Sequence, residues 1–139
     1  MGLAPGTDSD MKMTAEHAHV LANALRLNKS VESLEVSLQP IGDEGLIAIV
    51  DALIANPETK LNYLNLSGCR ITEHGAGYLL RNIDKIPSLR FVNLYSNSAC
   101  SETIRNAIKQ KLDACTIANS KASEAIHSEN DNMRIGMFS

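Results

Sequence analysis

Apolar residues fall at relative positions 1, 4 and 6 in three places along the chain. These are Val31, Leu34 and Val36, then Leu61, Leu64 and Leu66, then Leu89, Val92 and Leu94. The copies begin 61 − 31 = 30 and 89 − 61 = 28 residues apart. The first two copies are followed by Ile41-x-x-x-Gly45 and Ile71-x-x-x-Gly75. Alternation at Leu34/Val36, Leu64/Leu66 and Val92/Leu94 has the two-residue period of a strand. The stretches between have a different rhythm. Leu46, Ile49, Val50 and Leu53 lie three to four residues apart, as do Leu79, Leu80 and Ile83, and Ile104, Ile108 and Leu112. That spacing suits a helix with one buried stripe. Leu21, Ala22 and Leu25 add half a repeat upstream. The pattern predicts helix 14–27, strand 32–37, helix 44–55, strand 62–67, helix 73–84, strand 90–95 and helix 101–115. It also predicts burial of Leu34, Val36, Leu64, Leu66, Val92 and Leu94. A unit of this period cannot bury its own apolar face, so neighbours must stack.

The motif L-x-x-L-x-L-x-x-N/C-x-I/L followed by x-x-x-G resembles the leucine-rich repeat family, in its long ribonuclease-inhibitor-like subtype. Gln39, Cys69 and Asn97 occupy the N/C position, and Asn28-x-x-Val31 fits the approach to a strand. The likeness covers about residues 13–115. The third copy has Ala99 and Thr103 where the family has Ile and Gly, as a terminal, atypical repeat does. His17 stands at the Gly position of the leading half-repeat. The resemblance implies an α/β fold: a right-handed β-α solenoid forming a short curved slab, with three parallel strands inside and helices outside. The stretch Ile41–Leu53 also looks like the corresponding repeat of tropomodulin-type actin-end cappers, through repeat-defining residues.

Composition narrows the function. A chain of 139 residues with 44% hydrophobic content is one ordinary globular domain. We divide it into a polar lead at 1–12, a repeat domain at 13–116 and a polar tail at 117–139. Within the tail, Met133–Phe138 is a small apolar island that reads either as a loose end or as a strand covering exposed core. A net charge of −3 lacks the basic footprint of a nucleic-acid binder. No apolar run approaches membrane-spanning length. Three cysteines without paired spacing fit a reducing, cytoplasmic setting rather than a disulfide framework. Cys69 reads as a buried structural thiol.

Candidate chemistry is sparse. His17 and His19 lie two apart on a helix and face different directions, so they do not chelate one ion. Ser67-Gly68-Cys69 lacks the context of a nucleophile turn, and the glycines are too scattered for a phosphate loop. No catalytic residue, metal site or cofactor is expected. The opposite faces of the strands are more informative. Side chains alternate along a strand, so Ser33, Glu35 and Ser37 face away from the core. Tyr63, Asn65 and Ser67 do the same in the second strand, and Phe91, Asn93 and Tyr95 in the third. Parallel pairing stacks them as columns Ser33–Tyr63–Phe91, Glu35–Asn65–Asn93 and Ser37–Ser67–Tyr95. Three of the chain's five aromatics fall on this face. Such rings either pack along the strands or mark a contact surface. The expectation is a protein-binding module, not an enzyme, whose concave face offers Glu35, Tyr63, Asn65, Phe91, Asn93 and Tyr95. The alternative is an assembling module that forms homo-oligomers through open sheet edges, or a tropomodulin-like actin binder.

Overall fold

The computed structural model describes residues 12–119. Residues 1–11 of the lead and the island at 133–138 lie outside them. Helix and strand alternate throughout: α1 (Ala15–Leu25), β1 (Ser33–Glu35), α2 (Gly42–Ala55), β2 (Tyr63–Asn65), α3 (Glu73–Asn82, continued by a 3-10 turn at Ile83–Lys85), β3 (Phe91–Asn93) and α4 (102–119). The strands form one parallel sheet in the order β1-β2-β3. α1 packs on α2, and α2 on α3. One apolar core runs between sheet and helices, with Leu61, Leu64 and Leu66 at 0% exposure. Burying a leucine this fully contributes about 2 kcal/mol.

Each strand has three residues of regular ladder where the alternation predicts six. Pairing nevertheless runs on beyond the strand ends. Val36 N–H donates to Asn65 O at 3.0 Å and Leu38 N–H to Ser67 O at 2.8 Å. What ends the regular strand is a turn at Leu38, Gly68 and Ser96, with left-handed φ of 62°, 63° and 62°.

Two of the six expected core positions are only half-buried. Leu34 and Val92 sit on the outer strands and have a neighbour on one side only. Their central counterpart, Leu64, is flanked on both sides and is fully buried.

The third repeat has a different register from the one the motif suggests. Ala99 is exposed, and Cys100 takes the buried slot of Ile41 and Ile71. Ile104, not Thr103, then stands at the glycine position, and Ile108 and Leu112 follow in phase with Leu79 and Ile83. A one-residue insertion at the turn accounts for the shift. α4 also runs through residue 119, beyond the 115 that its apolar stripe predicts.

Glycine at the helix entries allows the helices to approach closely. A Cβ on Gly45 would lie 2.7 Å from Ile41 Cβ and 3.0 Å from Ala18 Cβ, and one on Gly75 would lie 2.9 Å from Asp43 Cγ.

Polar contacts join one repeat to the next. The Asp43 carboxylate accepts from the Thr72 N–H at 2.7 Å and from its hydroxyl. One repeat later, Glu73 accepts from the Ser101 N–H at 2.7 Å. Asn56 Nδ2 donates back to Leu25 O and Asn28 O at 2.8 and 2.7 Å. Buried polar groups are thus partnered between repeats, as a packed interior requires.

Candidate binding face

Strand register determines which side chains meet on the sheet face turned away from the helices. Ser33 pairs with Tyr63 and Tyr63 with Phe91, and Glu35 pairs with Asn65 and Asn65 with Asn93. The first two expected columns are therefore present, and Ser67 and Tyr95 continue the face into the turns. Phe91 and Tyr95 are 64% and 68% exposed, while Tyr63, in the middle of the sheet, is half-buried between its neighbours. Glu35 is exposed on the β1 edge.

The asparagines are less free than the sequence suggests. Asn65 Oδ1 accepts the Ser67 N–H at 3.1 Å, and Asn93 Oδ1 accepts the Tyr95 N–H at 3.0 Å. Each side chain holds the end of its own strand in shape. Among the described residues, their amide NH2 groups have no hydrogen-bond partner.

Two contributors were not apparent from the strand pattern. Leu38 is 66% exposed although it adopts a left-handed backbone, which a leucine takes up only at a cost. It lies over Gly68, where an added Cβ would come within 2.8 Å of Leu38 Cδ2. The small residue beneath makes room for the leucine, which extends the apolar surface beside Ser67. The other contributor is α4. Its Arg105 guanidinium stands 5.6 Å from the centre of the Tyr95 ring and donates to Cys100 O at 2.7 Å. This is cation–π range, and it fixes the ring at one wall of a groove of about 390 Å³ between β3 and α4. Arg105 lies outside every strand column, so only a view of helix against strand reveals it.

Other candidate groups are not brought together. His17 Nδ1 accepts the Thr14 N–H at 3.2 Å, whereas His19 Nε2 meets Glu44 Oε1 at 3.1 Å. Among the described residues, no three His, Cys, Asp or Glu side chains come together to hold a metal ion. Cys69 and Cys100 are buried free thiols that donate to Val36 O at 2.9 Å and Ile71 O at 3.2 Å. Burial pushes both thiols up in pKa, with Glu73 and Asp43 adding to the effect at Cys100. They remain protonated and structural rather than nucleophilic. No described helix is long and apolar enough to cross a membrane.

Comparison with known proteins agrees with this architecture. The family described as Leucine Rich repeat matches residues 27–50 and 59–80. The chain is 31% identical to ribonuclease inhibitor of Sus scrofa over 104 residues, 75% of this chain and 23% of that protein. It is 31% identical over 85 residues to NACHT, LRR and PYD domains-containing protein 13 of Homo sapiens, covering 61% of this chain and 8% of that protein. It is 36% identical over 78 residues to NACHT, LRR and PYD domains-containing protein 4B of Mus musculus, covering 56% of this chain and 9% of that protein. The chain thus spans less than a quarter of the length of these curated relatives.

Proposed function

Because this chain is a leucine-rich repeat protein of the ribonuclease-inhibitor-like type, we propose that it binds a protein partner through the concave face of its sheet. It is a binding module and not an enzyme. The contact residues are Glu35, Tyr63, Asn65, Phe91, Asn93 and Tyr95, with Leu38 and Arg105 at the margin. One observation carries this reading: Phe91 and Tyr95 lie more than half exposed on a single face, in a chain with few aromatics. Large rings left in water are an unfavourable arrangement unless something else covers them, and aromatic anchors dominate protein contacts. Asn65 and Asn93 add polar donors among the rings, a mixture suited to a partly wet interface. The free thiols are consistent with a cytoplasmic setting.

The test is a quantitative pull-down from a lysate, with the wild-type chain and Phe91→Ala/Tyr95→Ala as baits. The reading requires partners to be lost from the double variant while its melting temperature is unchanged. Partners retained by the double variant would place binding elsewhere. A fall in melting temperature together with loss of partners would show that the rings support the fold.

A further inference from the structure

β3 is paired on one side only. Phe91 N–H donates to Asn62 O at 2.9 Å, and Asn93 O and Tyr95 O accept from Leu66 and Gly68 N–H at 2.8 and 3.0 Å. Successive residues of a ladder turn their N–H and C=O to opposite sides. The N–H and C=O of Val92 and the N–H of Leu94 therefore point out of the open edge, and among the described residues they have no partner. The Leu94 C=O is already taken by Asn97 Nδ2 at 3.0 Å. Such an edge accepts another extended main chain.

The groove beside this edge has an apolar floor and a charged wall. Val92, Leu94, Ile108 and Leu112 form the floor. The wall is α4, on which Glu102, Arg105, Lys109 and Asp113 follow one another at intervals of three or four residues and so share one face. Their charges run negative, positive, positive, negative. Arg90 adds a cation at the start of β3. Among the described residues, none of these five side chains forms an ion pair. Arg90 Nη1 instead contacts Thr116 Oγ1 at 3.4 Å, and Arg105 is held between Cys100 O and the Tyr95 ring.

The spacing of the two central cations fits a strand. Arg105 and Lys109 are one turn apart, about 6 Å along the helix axis. Alternate side chains of a strand share one face and lie about 6.6 Å apart. An extended segment with glutamates at positions i and i+2 can therefore set one carboxylate against each cation. The methylene stems then lie on Ile108 and Leu112, as long charged side chains do on apolar surface. Glu102 and Asp113 bound the pattern. They repel further acidic residues on either side, which also disfavours a polyanion such as nucleic acid.

We propose that the β3 edge and the adjoining face of α4 form a strand-acceptor site for an extended segment of a partner protein that carries acidic side chains at alternate positions. Its main chain pairs with Val92 and with the Leu94 N–H, and its carboxylates pair with Arg105 and Lys109. This rests on the reading of the chain as a protein-binding module, but not on Phe91 and Tyr95 as anchors.

The test is selection of a random heptapeptide display library on the wild-type chain, followed by fluorescence anisotropy with the enriched peptide made synthetically. Aspartate or glutamate should be enriched at positions i and i+2. The peptide should bind Lys109→Glu at least about tenfold more weakly, with the melting temperature unchanged because Lys109 is exposed. Replacing both acidic residues of the peptide by their amides should cost as much. N-methylation of alternate peptide bonds should abolish binding in one phase and spare it in the other, as pairing along one side requires. Glu35→Gln, on the far edge of the sheet, should bind the peptide as wild type does. Enrichment of no peptide, or of peptides without alternate acidic residues, would overturn the proposal, as would wild-type affinity in Lys109→Glu. Self-association that Lys109→Glu loses, with no peptide enriched, would overturn it in favour of a second copy as occupant. Phe91 and Tyr95 are unaltered throughout, so failure here is distinct from failure of the concave-face reading.

Discussion

Asn97 and Cys69 belong to successive repeats, and Asn97 Oδ1 accepts the Cys69 N–H at 2.9 Å across the turn between them. The same oxygen accepts the Ile71 N–H at 3.0 Å, while Nδ2 donates to Leu66 O and Leu94 O at 2.9 and 3.0 Å. One buried side chain thereby supplies partners to backbone groups of two repeats, which the parallel sheet cannot itself satisfy at its turns.

Asn97→Ala should remove all of these bonds at once and leave buried N–H and C=O groups without partners. The expected cost is about 3 kcal/mol of unfolding free energy, read from urea denaturation. An effect within experimental error of wild type would mean that the turn rearranges or hydrates without penalty.

Two glycines of α3 should respond in opposite directions to alanine. A Cβ on Gly75 would meet Asp43 Cγ at 2.9 Å and Asp43 Cα at 3.1 Å, so backbone must move. Gly75→Ala should destabilise by about 1–3 kcal/mol. At Gly77 the nearest atom is the mobile end of Arg81, at 3.3 Å. Gly77→Ala should stabilise by about 0.5–1 kcal/mol, through helix propensity and a less disordered unfolded chain. Calorimetric melting of both variants gives the sign directly, and the same sign for both would contradict the packing described.

Glu73 connects α3 to the start of α4, and its contacts with Ser101 lower its pKa below the ordinary glutamate range. A depressed folded-state pKa gives stability that is fully present above the unfolded value. That stability is lost as pH falls through the folded value. Glu73→Gln should therefore melt below wild type at neutral pH, by a small margin because the site is exposed. The two melting curves should converge in acid, below the usual carboxylate pKa. A difference that persists unchanged into acid would mean that the charge on Glu73 has no role.

The repeats themselves were legible because Leu61, Leu64 and Leu66 combine strand alternation with a fixed return distance, and both follow from how a strand and a helix bury one face. The register of strand pairing was legible for the same reason, which is why Tyr63 and Phe91 fall in one column. The extent of burial was not. Alternation tells which side Leu34 and Val92 face but not how many strands flank them. The insertion before Cys100 was hidden because Ala99 and Thr103 fit the count of residues; what decides the register is which side chains can fill the core, and that needs the neighbouring repeat. The left-handed backbone of Leu38 gave no sign, since leucine is a poor marker for such a turn and only its counterpart Gly68 suggests one. On the candidate face, the rings were apparent from alternation. The fixed carbonyls of Asn65 and Asn93, and the Arg105 contact with Tyr95, depend on atoms that no periodicity describes.

Phe91 and Tyr95 are the proposed anchors of a protein partner. The most direct test is calorimetric titration of the captured, purified partner against wild type, Phe91→Ala/Tyr95→Ala and a helical-face control, Asn23→Ala. The double variant should lose affinity by about thirtyfold or more while keeping its melting temperature, and the control should bind as wild type does. Wild-type affinity in the double variant, or an equal loss in the control, would contradict it.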